Sequence, residues 1–176
     1  QHKKSIRTLL MAIVFLLVGC TGILATMEFI TTAKTYRTIQ ASNQANVVID
    51  KLIQSAVFWF RERGAVNYAL ESQDIASPET LARIVDYRAK GDAAFEEAML
   101  DKAELSLTIP PDMLGAIERD YAALKAIRVQ VDTHLQKPFA DRPAEFSQVW
   151  VKAVAQATTA TQNLRFYIGQ ISSGTS

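Results

Sequence analysis

A short polar segment, Arg61-Glu62-Arg63-Gly64, interrupts a strongly apolar part of the chain. Glycine inside a helix costs about 0.5–1 kcal/mol relative to alanine. We therefore expect close packing or a ligand at Gly64 to compensate. Arginine is almost never fully buried without a partner, and its guanidinium group matches a planar oxyanion in shape and charge. The chemistry that this segment predicts is the binding of a small anion.

Four long helices are predicted to position these residues. Apolar side chains recur in steps of three and four along each of them, which is the period of an amphipathic helix. The first is predicted over residues 28–73, the second from Pro78 to about residue 104, the third from Asp112 to the turn at Pro138, and the fourth from about Pro143 to residue 172. Ser77 is the expected N-cap of the second helix, and Asp112 that of the third. Short connections between helices favour an all-α, up-down-up-down four-helix bundle.

The apolar stripes predict a layer of arginines inside this bundle. Counting from the end where the connections lie, Arg63, Arg88 and Arg128 fall at about the same level. Three guanidinium groups in one layer repel each other unless negative charge lies among them. Asp92 and Asp132 are internal candidates, each four residues after one of the arginines, and a bound anion is the external one.

A second interpretation of the arginines stays open. Their stems can lie along apolar surface while the charged heads reach water, and Ile127 can take the inward position instead of Arg128. Glu62 flanks the predicted seam and is expected to point to water, as is Arg61.

The N-terminal part carries the pattern of a membrane anchor. Lys3, Lys4 and Arg7 precede an apolar run over residues 8–28, close to the length of about 20 residues that spans a bilayer. The charge bias predicts a cytoplasmic N-terminus over residues 1–7. Residues 29–172 then form a periplasmic domain, which this helix anchors in the lipid of the bacterial inner membrane, and residues 173–176 form a polar tail.

A lipoprotein signal is the alternative to this transmembrane helix. Leu17-Val18-Gly19-Cys20 has the form of a bacterial lipobox, in which lipid is attached to the cysteine. The apolar run continues past Cys20, which favours the spanning helix.

Composition and charge argue against several other classes of protein. Lys3, Lys4 and Arg7 account for three of the 19 basic residues, so the remaining 16 against 18 acidic residues leave a net charge of −2, which disfavours a nucleic-acid partner. One cysteine and two histidines predict neither a disulfide framework nor a metal site. No catalytic motif is present, and His134 is expected in a C-terminal helix turn, so we predict no enzyme and no cofactor.

Two segments resemble known proteins: residues 61–70, which begin Arg-Glu-Arg-Gly, and residues 88–95, which contain Arg88 and Asp92. They resemble the ectodomains of bacterial transmembrane sensors, above all the nitrate- and nitrite-sensing and four-helix-bundle domains of chemoreceptors, histidine kinases and diguanylate cyclases. The resemblance implies a ligand-sensing domain, a homodimer, and a second transmembrane helix with a signalling module after Ser176.

In the nitrate-sensing members, an Arg-Gly pair of the first helix and an arginine of the last helix hold the anion. Arg63 and Gly64 match the first element, and Arg165 is the arginine inside the fourth helix. The layer count places Arg165 about three turns from Arg63, which departs from that pattern. The candidate ligand-binding residues are therefore Arg63, Gly64, Arg88, Arg128 and Arg165, for a small anion or a carboxylate-bearing ligand. The alternative function is a membrane-tethered helical subunit that assembles with a larger membrane complex and senses no ligand.

Overall fold

The structure is a computed structural model that describes residues 2–105 and 107–172. This part of the chain contains four α-helices and no strand: α1 (His2–Glu71), α2 (Pro78–Asp101), α3 (Pro111–Leu135) and α4 (Phe146–Ser172). Two short 3₁₀ turns, Lys102–Glu104 and Phe139–Asp141, follow α2 and α3. The all-α prediction is confirmed. The predicted tail at residues 173–176 lies outside the described residues.

The chain divides into two compact units, Gln1–Ala41 and Ser42–Ser176. The described part of the first unit belongs to α1. In this unit, the hydroxyl groups of Thr26 and Thr31 each donate to the carbonyl oxygen four residues earlier. The sequence had placed the domain boundary after residue 28, earlier than the junction of these units.

The prediction of a transmembrane helix is wrong. Within the part of the chain that the structure describes, no helix has a segment both long enough and apolar enough to cross a bilayer. The finding overturns the transmembrane helix over residues 8–28, and with it the single-pass location in the inner membrane and the periplasmic placement. The side chain of Cys20 lies outside the described residues.

In the second unit, the four helices pack as an up-down-up-down bundle. Contacts between Glu62 and Arg88 and between Lys51 and Asp101 make α1 and α2 antiparallel. The helices α1 and α4 are also antiparallel, because Trp150 lies beside Arg63 and Gly169 lies beside Ile49. The core is mostly apolar, and its largest fully buried apolar members are Trp59, Trp150, Leu52, Ile84, Ile117, Leu124, Leu135, Leu164 and Ile168. The predicted apolar stripes are therefore confirmed except at the level of Arg63 on α1, and on α2 Ile84 is buried whereas Val85 is exposed.

Most helix ends follow from local sequence. Ser77 caps α2, because its hydroxyl oxygen accepts the backbone N–H of Thr80 at 3.2 Å. The prediction of Asp112 as the cap of α3 is wrong: α3 begins at Pro111, one residue earlier. The helix α4 begins at Phe146 rather than near Pro143, and residues 142–145 form a bend and a turn between the 3₁₀ turn and the helix.

Candidate functional site

Five charged residues meet at one level of the bundle and form what we call the polar layer: Glu62, Arg88, Asp92, Arg128 and Asp132. Glu62 comes from α1, Arg88 and Asp92 from α2, and the other two from α3. Arg88 and Asp92, like Arg128 and Asp132, are four residues apart and so lie on the same face of their helix. No charged residue of α4 contacts this layer among the described residues.

Glu62 is the centre of the polar layer. Its side chain is 0% exposed. One carboxylate oxygen accepts Arg88 Nε–H at 3.0 Å and Arg128 Nε–H at 2.9 Å, and the other accepts Arg128 Nη2–H. A buried carboxylate is tolerated only when it is paired and hydrogen-bonded, and both conditions hold here.

Asp92 and Asp132 complete the hydrogen-bond network on the side that is nearer to solvent. Asp132 accepts both Nη groups of Arg88 at 2.9 Å, a bidentate pair. Asp92 accepts Arg128 Nη1–H and also the indole N–H of Trp59, the latter at 3.1 Å. Asp132 is half exposed, whereas Arg128 is buried. The network is therefore strongest at its buried end.

The charges of the polar layer are balanced from within. Two guanidinium groups face three carboxylates, a net charge of −1. Burial opposes the charge of Arg88, but its hydrogen bonds to Asp132 and Glu62 outweigh burial and raise its pKa above the ordinary value. The ion pairs with Glu62, Asp92 and Asp132 compensate both guanidinium groups without an external anion, which supports the internal ion-pair alternative for Arg88 and Arg128.

An aromatic cluster lies next to the polar layer. Trp59, Phe95 and Tyr121 have ring centroids 4.4–5.7 Å apart. Burial raises the pKa of Tyr121, and the nearby charge of Asp92 and a hydrogen bond to Glu96 raise it further. Gly91 makes room for the indole: a Cβ atom there would lie 2.5 Å from Cδ1 of Trp59.

At α1, the observed polar layer differs from the predicted layer of arginines. Glu62, expected to point to water, is buried, and it occupies the position assigned to Arg63. Arg63 is half-buried, and its guanidinium carbon lies 4.6 Å from the ring centroid of Phe60. The steps Trp59–Glu62–Val66 are also three and four, so the periodicity admitted Glu62. A glutamate was simply not expected in an apolar seam.

The five predicted ligand residues occupy three separate places. Arg88 and Arg128 belong to the polar layer, and Arg63 and Gly64 lie on the outer side of α1. Arg165 lines a shallow groove of about 150 Å³ with Ile53 and Phe60. Since Trp150 Nε1 donates to the Arg63 carbonyl oxygen, Arg165 lies about four turns further along α4 than the level of Arg63. The five residues do not converge within one bundle, and anion binding at any of them stays a prediction.

Arg142, which the sequence did not single out, ties the end of the bundle together. Its guanidinium group donates to six backbone carbonyl oxygens, those of Ala69, Leu70, Ser72, Asp74, His134 and Lys137. The last carbonyl groups of a helix have no partner within it, so Arg142 satisfies the ends of α1 and α3 together. The only sequence signal is an arginine in the loop between Pro138 and Pro143.

His134 lies in the last turn of α3, as expected. Its ring packs edge-on against Phe146 at 4.3 Å between centroids, and its Nδ1 atom is buried without a hydrogen-bond partner. Burial lowers the pKa of His134, and the charges of Lys137 and Arg142 lower it further. Within the described residues, no group of three or more His, Cys, Asp or Glu side chains could hold a metal ion.

An open groove of about 490 Å³ lies between α3 and α4, and we call it the α3–α4 groove. Met113, Ile117 and Ala160 contribute apolar surface to its lining. Its polar lining residues are Asp112, Asp120, Lys152, Gln156, Thr159 and Asn163. None of its three charged side chains has an ion-pair partner within the described chain, in contrast to the arginines of the polar layer.

No protein-family model matches the chain, and neither a curated protein nor a solved structure matches it. The resemblance of the two short segments to bacterial sensors therefore stays an expectation.

Proposed function

We propose that the bundle of the second unit is the ligand-sensing module of a signalling protein, and that it binds a small carboxylate-bearing molecule in the α3–α4 groove. One observation carries this proposal: the groove combines apolar surface with charged side chains that have no ion-pair partner among the described residues. Ligand sites in proteins are concave and mostly apolar, with a few polar groups that fix orientation. A volume of about 490 Å³ suits a small molecule.

The charges of the groove favour a particular class of ligand. Lys152 on α4 offers an ammonium group to a carboxylate, while Asp112 and Asp120 on α3 offer acceptors to an amine. Gln156 and Asn163 can donate to or accept from either group. An amino acid, a dipeptide or a related amino-carboxylate with an apolar body has the required charges on both ends.

Sensing follows from the position of the groove between two helices. A ligand that contacts both walls stabilises the arrangement of α3 and α4 that fits it, and it shifts the population toward that arrangement. The resemblance of residues 61–70 and 88–95 to sensor domains supports the assignment to signalling rather than to catalysis.

The test is thermal unfolding of the full chain with a panel of amino acids, dipeptides and small carboxylates. A ligand at one hundred times its Kd stabilises the folded state by about 2.7 kcal/mol. We expect at least one amino-carboxylate to raise Tm, and Lys152→Gln or Asp120→Asn to abolish the shift. Lys90→Gln is the matched control, because Lys90 is an exposed lysine away from the groove. A shift that survives Lys152→Gln contradicts the proposed site, and the absence of any shift contradicts the proposed function.

Nitrate and nitrite form a separate arm of the same screen. If either anion raises Tm and Arg63→Ala removes the effect, the anion site predicted from the sequence is present and the α3–α4 groove is not the sensing site.

A further inference from the structure

The α3–α4 groove is long compared with the ligands that its charges could bind. Lys152 and Asn163 both line it from α4, and at 1.5 Å per residue they lie about 16 Å apart along the helix axis. Asp112 and Asp120 line it from α3, and they lie about 12 Å apart. Only a few bonds separate the amino and carboxylate groups of a free amino acid, so such a molecule occupies one part of the groove.

Contacts at the two ends of α3 and α4 determine how the groove walls face each other. The ring of Phe146, at the start of α4, packs against His134 in the last turn of α3. The hydroxyl group of Tyr167, near the end of α4, donates to the carbonyl oxygen of Thr108, just before α3. The two helices are therefore antiparallel, and these two contacts fix their register.

This register places the three charged residues of the groove in a definite order. Lys152 lies level with about residues 123–128 of α3, beyond Asp120. Asp112 lies at the other end, about 17–24 Å from Lys152 along the bundle, and Asp120 lies between them. The groove thus has a cation at one end, a carboxylate at the other end and a second carboxylate in between. Together these side chains carry a net charge of −1.

The uncharged lining of the groove suits an extended backbone. Short side chains leave room for a main chain to approach the helices, and three of the lining residues are alanines, namely Ala116, Ala155 and Ala160. The amide groups of Gln156 and Asn163 can each donate and accept a hydrogen bond. They lie about 10 Å apart along α4, which is close to the length of three extended residues at roughly 3.3–3.6 Å each.

We propose that the α3–α4 groove binds an extended peptide of about three to five residues with free ends and one basic side chain, an inference that rests on the ligand-sensing function proposed above. The C-terminal carboxylate of the peptide pairs with Lys152, and its N-terminal ammonium group pairs with Asp112. The basic side chain pairs with Asp120. A peptide of this length spans the groove when the long side chain of Lys152 reaches toward it.

Other small ligands leave charges of the groove unpaired. A diamine would pair with Asp112 and Asp120 but would bring a like charge toward Lys152. A dicarboxylate would pair with Lys152 but would face the two aspartates. A peptide without a basic side chain is neutral overall and leaves the charge of Asp120 uncompensated. Since removing an unpaired charge from water is costly, the charges favour a peptide with a single positive side chain.

Isothermal titration of the full chain tests the length and charge of the ligand without any variant. The probes are the tetrapeptide alanyl-alanyl-lysyl-alanine, its glutamine analogue, and free lysine and alanine. We expect the lysyl tetrapeptide to have a Kd at least about tenfold lower than each of the other three, since it alone pairs all three charges.

The outcomes separate this inference from the proposed function. If free amino acids or other small amino-carboxylates bind as tightly as the lysyl tetrapeptide, or bind when it does not, the peptide inference is overturned and the sensing function stands. If no amino acid, peptide or carboxylate binds, both fail.

Blocked peptides test the direction of binding. N-acetylation of the tetrapeptide should raise its Kd at least about tenfold in the unmodified chain and in Lys152→Gln, but much less in Asp112→Asn, where the partner of the ammonium group is already lost. C-terminal amidation should show the reverse dependence on these two variants. Glu118→Gln on α3 and Lys90→Gln on α2 are matched controls, because both residues are exposed outside the groove, and they should preserve both effects.

Asp120→Asn tests the pairing with the basic side chain. In this variant the lysyl tetrapeptide and its glutamine analogue should have nearly equal Kd values, because the carboxylate that distinguishes them is absent. A preference for the lysyl peptide that survives Asp120→Asn overturns this pairing. An acetylation effect that disappears in Lys152→Gln instead of Asp112→Asn shows the opposite direction and overturns the proposed arrangement.

Discussion

Removing the carboxylate of Glu62 is the sharpest test of the polar layer. In Glu62→Ala, Arg128 loses two of its hydrogen-bonded contacts and keeps Asp92, while Arg88 keeps only Asp132. Breaking a buried ion pair by removing one partner costs about 3–5 kcal/mol. Arg128 is 3% exposed and Glu62 0% exposed, so screening by water does not reduce this value substantially.

The loss is large against the stability of a domain of this size. Small domains are stable by about 5–15 kcal/mol, so a loss of about 3–5 kcal/mol in Glu62→Ala removes roughly a fifth or more of that margin. Asp132→Asn is the matched control from the same network. Its carboxylate is half exposed, and exposed ion pairs contribute about 0–1 kcal/mol.

Urea unfolding of the full chain, followed by the fluorescence of Trp59 and Trp150, measures the difference. We expect the free energy of unfolding to fall by about 3–5 kcal/mol in Glu62→Ala and by about 1 kcal/mol or less in Asp132→Asn. If Glu62→Ala does not fold, the double variant Glu62→Ala/Arg128→Ala decides, because removing both partners should cost less than the sum of the single losses. Equal losses in Glu62→Ala and Asp132→Asn would refute the ranking by burial.

Three other perturbations have signs that follow from the contacts. Gly91→Ala should destabilise the bundle by about 1–3 kcal/mol, because the added Cβ atom overlaps Trp59. Gly64→Ala in dilute protein should stabilise the bundle by about 0.5–1 kcal/mol. Urea midpoints of the two variants that move in the same direction would contradict this pair of predictions. Arg142→Lys should lower Tm nearly as much as Arg142→Ala, since an ammonium group cannot reach six carbonyl oxygens as the guanidinium group does, and a fully stable lysine variant would refute the capping role. Burial lowers the pKa of His134 from 6.5, so the imidazole binds its proton more readily in the unfolded chain. The free energy of unfolding should therefore fall as the pH drops below about 6.5. His134→Gln should make the free energy of unfolding less dependent on pH between about pH 7 and 5.

The sequence alone determined the helical architecture of the second unit. Apolar residues at steps of three and four, together with Ser77 before Pro78, were enough to predict α2 and most of the apolar residues that face inward. These signals are local, because each depends only on the geometry of one helix. The resemblance of the segments at Arg61 and Arg88 to sensor domains also came from the sequence, and it stays untested.

Local periodicity failed where two residues of opposite charge competed for one position. Glu62 and Arg63 both fit the steps of the α1 stripe, and only the packed bundle shows that Glu62 faces inward. The reason is that Arg88 and Arg128 arrive from α2 and α3 at the same level, so a carboxylate there is stabilised and a third guanidinium group is not. The tertiary structure likewise decided the roles of the two glycines.

Gly64 was expected to permit close packing and lies open, while Gly91, which the sequence did not single out for close packing, is the site of close packing against Trp59. The segment Arg61-Glu62-Arg63-Gly64 therefore divides into an inward glutamate and an outward surface. A sequence lists which residues can pair, but only the approach of other helices determines which of them are desolvated together.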